Sequence, residues 1–384
     1  MLVDRRLALQ TLMGSLAAAA TSAPGQALAA APAGSAPVFP PPSGRSVALV
    51  SDDAFPDPAD MAARLSRLVA RTDVHDSYLQ GGAVEQLEKT FAALLGKEAC
   101  AFLPTGTLAN NLALRILCGE NHHALCLYDS HLYRDESDAA PRLSGINLVP
   151  LSDGKSVLDV GEFARAFDAA QNGPYPVKVG AISLESPIRR LNGEMIPAAS
   201  VAALAELARK QGTPMHLDGA RLLVAPPGFD VRSYAAPFAT VYVSLYKYLG
   251  APFGAVLAGG KAHVDQARDL THLYGGEIYQ GWIPAVLALD RLKTLSGDMA
   301  RAYSAAASLV SALQASGKIR VRPLQNPSNI MLLEMPEELA AAALERGRLA
   351  DVRIGKWQDG AVPLYVNRSI LRRPVGDYVR LFLG

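Results

Sequence analysis

The chain is 384 residues long, with 37 Lys+Arg against 36 Asp+Glu and a formal net charge of +1. That balance argues against nucleic acid or an anionic membrane as the main partner, since either calls for a basic surface. Half of the residues are apolar and 19% are charged, which excludes a disordered chain and provides for a large core and a smaller one.

At the N-terminus, Arg5-Arg6 precedes a weakly apolar run from Leu7 to Ala20 and a small-residue stretch ending Ala27-Leu28-Ala29. This is the charged, apolar, A-x-A order of a secretory signal peptide. Gln10, Thr11, Gly14 and Ser15 make the run too short and too polar to span a membrane. The paired arginines resemble a bacterial twin-arginine signal, although Ala8 and Gln10 stand where an aromatic residue and a lysine are usual. A periplasmic location is therefore expected, with the cytoplasm as the alternative. Pro32, Pro37 and Pro40-Pro41-Pro42 mark an extended linker.

Short apolar runs then alternate with helical patterns. Strands are expected at 99–103, 124–128, 147–151, 179–184, 214–217, 241–245 and 255–258, and helices at 83–95, 108–118, 160–170 and 198–210. β-Branched strands between helices predict an α/β architecture, a mainly parallel sheet covered on both faces, with functional groups at strand carboxyl ends. Helices at 284–295 and 299–315 and a mixed α+β remainder follow. The expected organisation is a leader (1–30), a Pro/Ala-rich linker (31–48), a large domain with an N-terminal arm (49–285) and a small C-terminal domain (286–384). Cys100, Cys118 and Cys126 read as buried thiols, and no CxxC or Cys/His spacing suggests zinc.

Three segments lie where chemistry is expected. Pro104-Thr105-Gly106-Thr107-Leu108-Ala109-Asn110 follows a strand and opens a helix. Unpaired N–H groups, a glycine that admits close approach and two flanking hydroxyls make it a phosphate cradle or an ordinary threonine cap. His216-Leu217-Asp218-Gly219-Ala220-Arg221 ends an apolar strand, where a carboxylate must be paired or face a cationic ligand. An Asp218–Arg221 pair closing a turn and a His-x-Asp metal site are the alternatives there. Ser244-Leu245-Tyr246-Lys247-Tyr248-Leu249-Gly250-Ala251-Pro252 sets Lys247 between a strand and a Gly-rich turn. A lysine there is either a desolvated amine nucleophile or a surface side chain snorkelling past two tyrosines.

Taken together, an anion cradle, a carboxylate and a desolvation-prone lysine at strand carboxyl ends are the fittings for pyridoxal phosphate. Lys247 lies 29 residues after Asp218, enough for one crossover between adjacent parallel strands. From about Ser51 to about Leu295 the chain resembles the L-threonine aldolase / β-eliminating lyase family of fold-type-I pyridoxal-phosphate enzymes, with all three segments in the family's order and spacing. The resemblance implies a transferase-like fold: a mainly parallel seven-stranded sheet flanked by helices, with a smaller α+β C-terminal domain.

It also implies roles. Lys247 matches the lysine that bonds the cofactor aldehyde and later moves a proton; Asp218 matches the carboxylate facing the pyridine nitrogen. Thr105, Gly106 and Thr107 match the phosphate loop, and His131, in Ser130-His131-Leu132, matches the imidazole stacked on the ring. Arg221 resembles the guanidinium holding the amino-acid carboxylate, with Ser51 of Ser51-Asp52-Asp53 helping that contact. Glu136 falls at the family's acidic position five residues after that histidine, and Arg190 resembles an arginine that reaches cofactor or substrate. Three positions depart from the pattern. Ile188 stands where aldolases carry a histidine for the β-hydroxyl, and Tyr279 of Ile278-Tyr279-Gln280 stands where an arginine contacts the phosphate across a subunit interface. The family's second carboxylate-binding arginine has only Arg368 as a candidate.

The expected activity is retro-aldol cleavage of a β-hydroxy-α-amino acid to glycine and an aldehyde. β-Elimination from a β-substituted L-amino acid is the alternative. A cofactor-binding protein without catalysis, or a metal hydrolase using His216 and Asp218, is the reading from another class. The expected partners are a small amino-acid substrate and further copies of the chain, as a homodimer or homotetramer.

Overall fold

The computed structural model describes residues 45–70 and 73–384; the expected leader and most of the linker lie outside the described residues. In chain order the strands are β1 (Val47–Ala48), β2 (Ala99–Leu103), β3 (His123–Leu127), β4 (Asn147–Leu151), β5 (Val179–Glu185), β6 (Met215–Asp218), β7 (Thr240–Ser244) and β8 (Ala255–Gly259). After these come β9 (Arg320–Arg322), β10 (Ile330–Glu334), β11 (Val352–Arg353) and β12 (Ala361–Tyr365).

Seven of them form one sheet in the order β2-β8-β7-β6-β5-β3-β4. Every neighbouring pair is parallel except those made by β8, which runs against both β2 and β7. The connection from β7 to β8 is too short for a crossover helix, so the chain simply turns back. Because only β8 is reversed, the carboxyl ends of β2, β3, β5, β6 and β7 share one edge. Every residue of β5, β6 and β7 is buried, as expected for strands covered on both faces. The helix Gly82–Leu95 contributes fully buried Leu87, Phe91 and Leu95 to that cover. Truncating Phe91 alone would cost about 3–5 kcal/mol.

Where two helices were expected, the structure has one, Trp282–Ala315. Ser296-Gly297-Asp298 remains helical because Gly297 lies in open space and costs only about 1 kcal/mol in a helix interior. The buried stretches on either side more than offset that. Ala288, Leu295 and Met299 enter the core under the large sheet; Ala302, Ala306, Leu309 and Leu313 enter a second core. The two cores therefore meet within this helix.

The second core is built on β10, antiparallel to β9 and β12, and the helices Glu337–Leu349 and Val375–Leu383. It also takes Val47 and Leu49, because β1 pairs in parallel with β11. The last residues assigned to the linker are thus a strand, drawn in by the apolar run Val47-Ala48-Leu49. Asn367 Nδ2 donates to the carbonyls of Ala48 (2.7 Å) and Ser51 (2.9 Å), fixing the arm that carries Ser51-Asp52-Asp53. All three cysteines are free and buried, and burial pushes the Cys118 and Cys126 thiols up to about 12.

Candidate active site

At the shared strand edge lies a cleft of about 440 Å³. Its first wall is the turn after β2. Thr105 caps the helix Gly106–Cys118, its Oγ1 accepting from the Leu108 N–H at 3.2 Å. The N–H groups of Gly106 and Thr107 have no acceptor within the helix and are available to an anion. The glycine is demanded by packing as well, since a Cβ on Gly106 would sit 2.0 Å from the Tyr242 hydroxyl. Cap and cradle are thus compatible readings of one turn.

The floor is a buried polar cluster. Asp218, at the end of β6, accepts from the Ala220 N–H (3.0 Å) and from Asn110 Nδ2 (2.9 Å). Asn110 Nδ2 also donates to Glu136 Oε1 (2.8 Å), whose other oxygen accepts from Asn111 Nδ2 (3.2 Å). Glu136 Oε1 lies 3.0 Å from His131 Nδ1. The bond to Glu136 holds the His131 pKa above its usual value against the opposing effect of burial, with smaller help from the charges of Asp218 and Glu185. Burial in turn raises the Glu136 pKa, and the bonds from His131 and Asn110 temper that rise.

Lys247, three residues beyond β7, faces this floor with its ammonium about 5.8 Å from the Tyr242 ring centre and 5.6 Å from that of Tyr246. Burial, reinforced by the Arg221 charge, lowers its pKa, while Asp218, Asp52 and Glu185 pull the other way. The desolvated amine expected from the sequence is present. Glu185, at the end of β5, joins two loops by accepting from the backbone N–H groups of His131 (2.5 Å) and Arg189 (2.9 Å). Burial and the nearby Asp218 charge push its pKa up to about 7.

Arg221 lines the cleft but does not pair with Asp218. Its Nε and Nη2 donate to the two oxygens of Asp52 at 2.6 and 3.0 Å. The alternative reading of an Asp218–Arg221 pair closing a turn fails, because the N-terminal arm brings Asp52 to Arg221. Burial works against the Arg221 charge, but the Asp52 carboxylate outweighs it and raises the pKa further.

The structure therefore gathers Thr105, Gly106, Thr107, His131, Asp218, Arg221 and Lys247 around one cleft. Ser51 and Arg190 are not among its lining residues. The Ser51 hydroxyl donates to the Asp53 carbonyl (2.7 Å), and Arg190 is held outside by Asp135, Nε to Oδ2 at 3.1 Å. Ile188 is fully buried in the main core, so its position presents nothing to the cleft. Tyr279 is exposed, edge-on to Tyr78, and Arg368 is bound to Asp53 (2.6 Å). Asn110, Glu185 and Asp52 have no role assigned from the sequence, although Asn110 closes the cradle segment and Asp52 lies beside Ser51. The metal reading fails on geometry: His216 Nδ1 is bonded to Thr240 Oγ1 (2.9 Å) and Nε2 to Asn110 Oδ1 (3.1 Å). Among the described residues no three metal-ligating side chains converge.

The donor set fits pyridoxal phosphate: N–H groups for a phosphate, a buried carboxylate, a half-exposed imidazole and an amine of lowered pKa on one cavity. Comparison with known proteins agrees. The beta-eliminating lyase family profile matches residues 49–336. The chain is 27% identical to the low specificity L-threonine aldolase of Escherichia coli (strain K12), over 76% of this chain and 86% of the relative. It is 27% identical to the "Probable low-specificity L-threonine aldolase 2" of Arabidopsis thaliana, over 70% and 78%. The solved threonine aldolase of Leishmania major shares the fold with a TM-score of 0.68 at 18% identity, over 88% of this chain and 97% of that one. Matching strand-edge chemistry and a profile that spans most of the chain lead to one conclusion: the protein belongs to the beta-eliminating lyase family and is a pyridoxal-phosphate-dependent lyase.

Proposed function

We propose that the protein cleaves a β-hydroxy-α-amino acid, L-threonine-like, to glycine and an aldehyde by retro-aldol chemistry. The observation that carries this reading is Lys247 of lowered pKa facing Asp218 and the Thr105–Thr107 cradle in one cleft. The relatives named as threonine aldolases support it. When bound, the cofactor supplies an electron sink for the bond broken at Cα. The N–H groups at Gly106 and Thr107 and the two threonine hydroxyls hold its phosphate. Asp218 would hold the ring nitrogen protonated; a carboxylate charge in contact with it is worth roughly 4 kcal/mol at an effective dielectric near 20, about three pKa units. His131, which lines the same cleft, would hold the face of the ring, and Lys247 Nζ, of lowered pKa, would accept and return the proton that the reaction moves. Arg221 orients the substrate carboxylate, which meets the guanidinium beside Asp52.

β-Elimination is the second reading, favoured by Ile188, which turns into the core and offers the substrate no β-hydroxyl contact. Product analysis on L-threonine and on β-substituted amino acids separates the two. Glycine and an aldehyde are expected, and pyruvate without glycine overturns the aldolase reading. Lys247→Ala is expected to cut turnover by about 10³-fold or more and to abolish the visible absorbance of lysine-bound cofactor. A wild-type protein with no such absorbance after addition of pyridoxal phosphate overturns both readings.

Assembly as a homodimer or homotetramer and export through Arg5-Arg6 belong to the same proposal. A protein folded around its cofactor in the cytoplasm needs a route for folded cargo, which a twin-arginine signal supplies. Replacing both arginines by lysine is expected to retain the protein in the cytoplasm on cell fractionation. Unchanged periplasmic recovery overturns that route.

A further inference from the structure

Asn110, Glu136 and His216 take no part in the proposed mechanism. All are buried, and hydrogen bonds join them into one chain that runs beneath the cleft from Thr240 to His131. The bonding logic has a single solution. Two carboxylate oxygens, Asp218 Oδ2 at 2.9 Å and Glu136 Oε1 at 2.8 Å, meet the same nitrogen of the Asn110 amide. Only an NH₂ group can satisfy both, one proton for each, so the amide orientation is determined. Its oxygen must then point at His216 Nε2, 3.1 Å away. That oxygen can only accept, so Nε2 carries the proton and Nδ1 accepts from the Thr240 hydroxyl at 2.9 Å. Burial pushes His216 down to about 4, so the ring is neutral and a single tautomer is present at working pH.

We infer that Asn110 is a positioning residue: its one amide joins the carboxylate at the cofactor's ring nitrogen to the carboxylate that holds the stacking imidazole. Asp218 and His131 are then set together rather than separately, with His216 and Thr240 locking the joint from behind. A buried carboxylate with an unfilled lone pair beside another carboxylate would be free to turn away from the ring, which is what the shared amide prevents. The inference rests on the pyridoxal-phosphate reading for its purpose, but its geometry does not require the cofactor. The charged groups facing His131 are Glu136 in direct contact, Asp135 from the same segment, and Asp218 and Glu185 from the ends of β6 and β5.

The test is the titration of the His131 imidazole by NMR in the full-length chain, without and with pyridoxal phosphate, the resonance being assigned by its loss in His131→Asn. Glu136→Gln is expected to move the titration to lower pH. Asn110→Ser, which touches no atom of His131, is expected to move it to higher pH, because Glu136 Oε1 is left to the imidazole alone. The same variant is expected to weaken cofactor binding by about ten-fold or more, as for loss of a hydrogen bond to a charged group. The double variant should then lose less than the product of the two single losses, since both act through one joint. Thr240→Val, close to isosteric, is expected to weaken cofactor binding in the same direction by a smaller factor, and carries the test if Asn110→Ser does not fold. An unchanged His131 titration in folded Asn110→Ser, strictly multiplicative losses, or Thr240→Val binding cofactor as wild type overturns the inference. Failure of the cofactor reading shows separately, as wild-type protein that never binds pyridoxal phosphate, and leaves the cofactor-free titration to decide whether the joint exists.

Discussion

On the floor of the cleft, Asp218, Glu136, Asn110 and His216 are buried, and each holds two or more hydrogen bonds. At the mouth Arg221 is taken by Asp52 instead, and two arginines that do not line the cleft, Arg190 and Arg368, are taken by Asp135 and Asp53. The floor stands on strand ends of the central sheet, whereas the pair at the mouth joins the N-terminal arm to the turn after β6. Buried, fully bonded groups cannot change partner without leaving a polar atom unsatisfied. Ion pairs at the mouth can exchange one carboxylate for another, and a substrate supplies a carboxylate. On the proposed reading, the floor that would hold the cofactor is fixed in its partners, and the Arg221–Asp52 pair that would meet the substrate can exchange.

The sharpest way to break this division is Asp218→Ala. Loss of the floor carboxylate is expected to weaken cofactor binding and turnover by about 10²–10³-fold, read by absorbance titration and steady-state rates. A change confined to the substrate KM would place Asp218 on the wrong side of the comparison.

Glu185 probes the boundary between the two regions through pH. Its pKa stands at about 7 in the folded chain against an ordinary 4.5, so the native state keeps a proton that the unfolded chain gives up. Its contribution is fully present below about pH 4.5 and is lost as pH rises through 7, an effect of about 3 kcal/mol. Denaturation of cofactor-free protein across that window should show the slope, and Glu185→Gln should remove it. An identical slope in the variant would assign it to other groups.

At the mouth, Arg221→Lys loses the planar fork and is expected to raise the substrate KM by about 10–100-fold, with cofactor affinity within about two-fold of wild type. The smallest effect belongs to Arg190→Ala. Its surface pair with Asp135 is worth under about 1 kcal/mol, so KM and stability should stay close to wild type. A large rise in KM would return Arg190 to the substrate site.

How much of this was legible depended on how local the signal was. The strands of the large sheet lay within a residue or so of their apolar runs, because short apolar stretches bounded by helices bury both faces in a covered parallel sheet. The cradle, Asp218 and Lys247 could be read for the same reason: each sits in a contiguous segment at a strand end. The long helix Trp282–Ala315 was misread at Gly297, where local propensity lost to two cores that the sequence does not show side by side. Asp52 was missed because its partner Arg221 lies 169 positions away, and no periodicity links an arm to a turn at that range.

By itself the sequence determined the sheet's membership and the residue types at its carboxyl edge, since these follow from apolar periodicity and short motifs, and the class of chemistry entered through the family that those motifs resemble. The tertiary structure alone decided which charges meet. It gave Arg221 to Asp52 rather than Asp218, turned Ile188 into the core and brought Asn110 between Asp218 and Glu136. Hydrogen bonds and ion pairs reach only about 3 Å, so their partners are set by where the folded chain places each atom, not by neighbours in sequence.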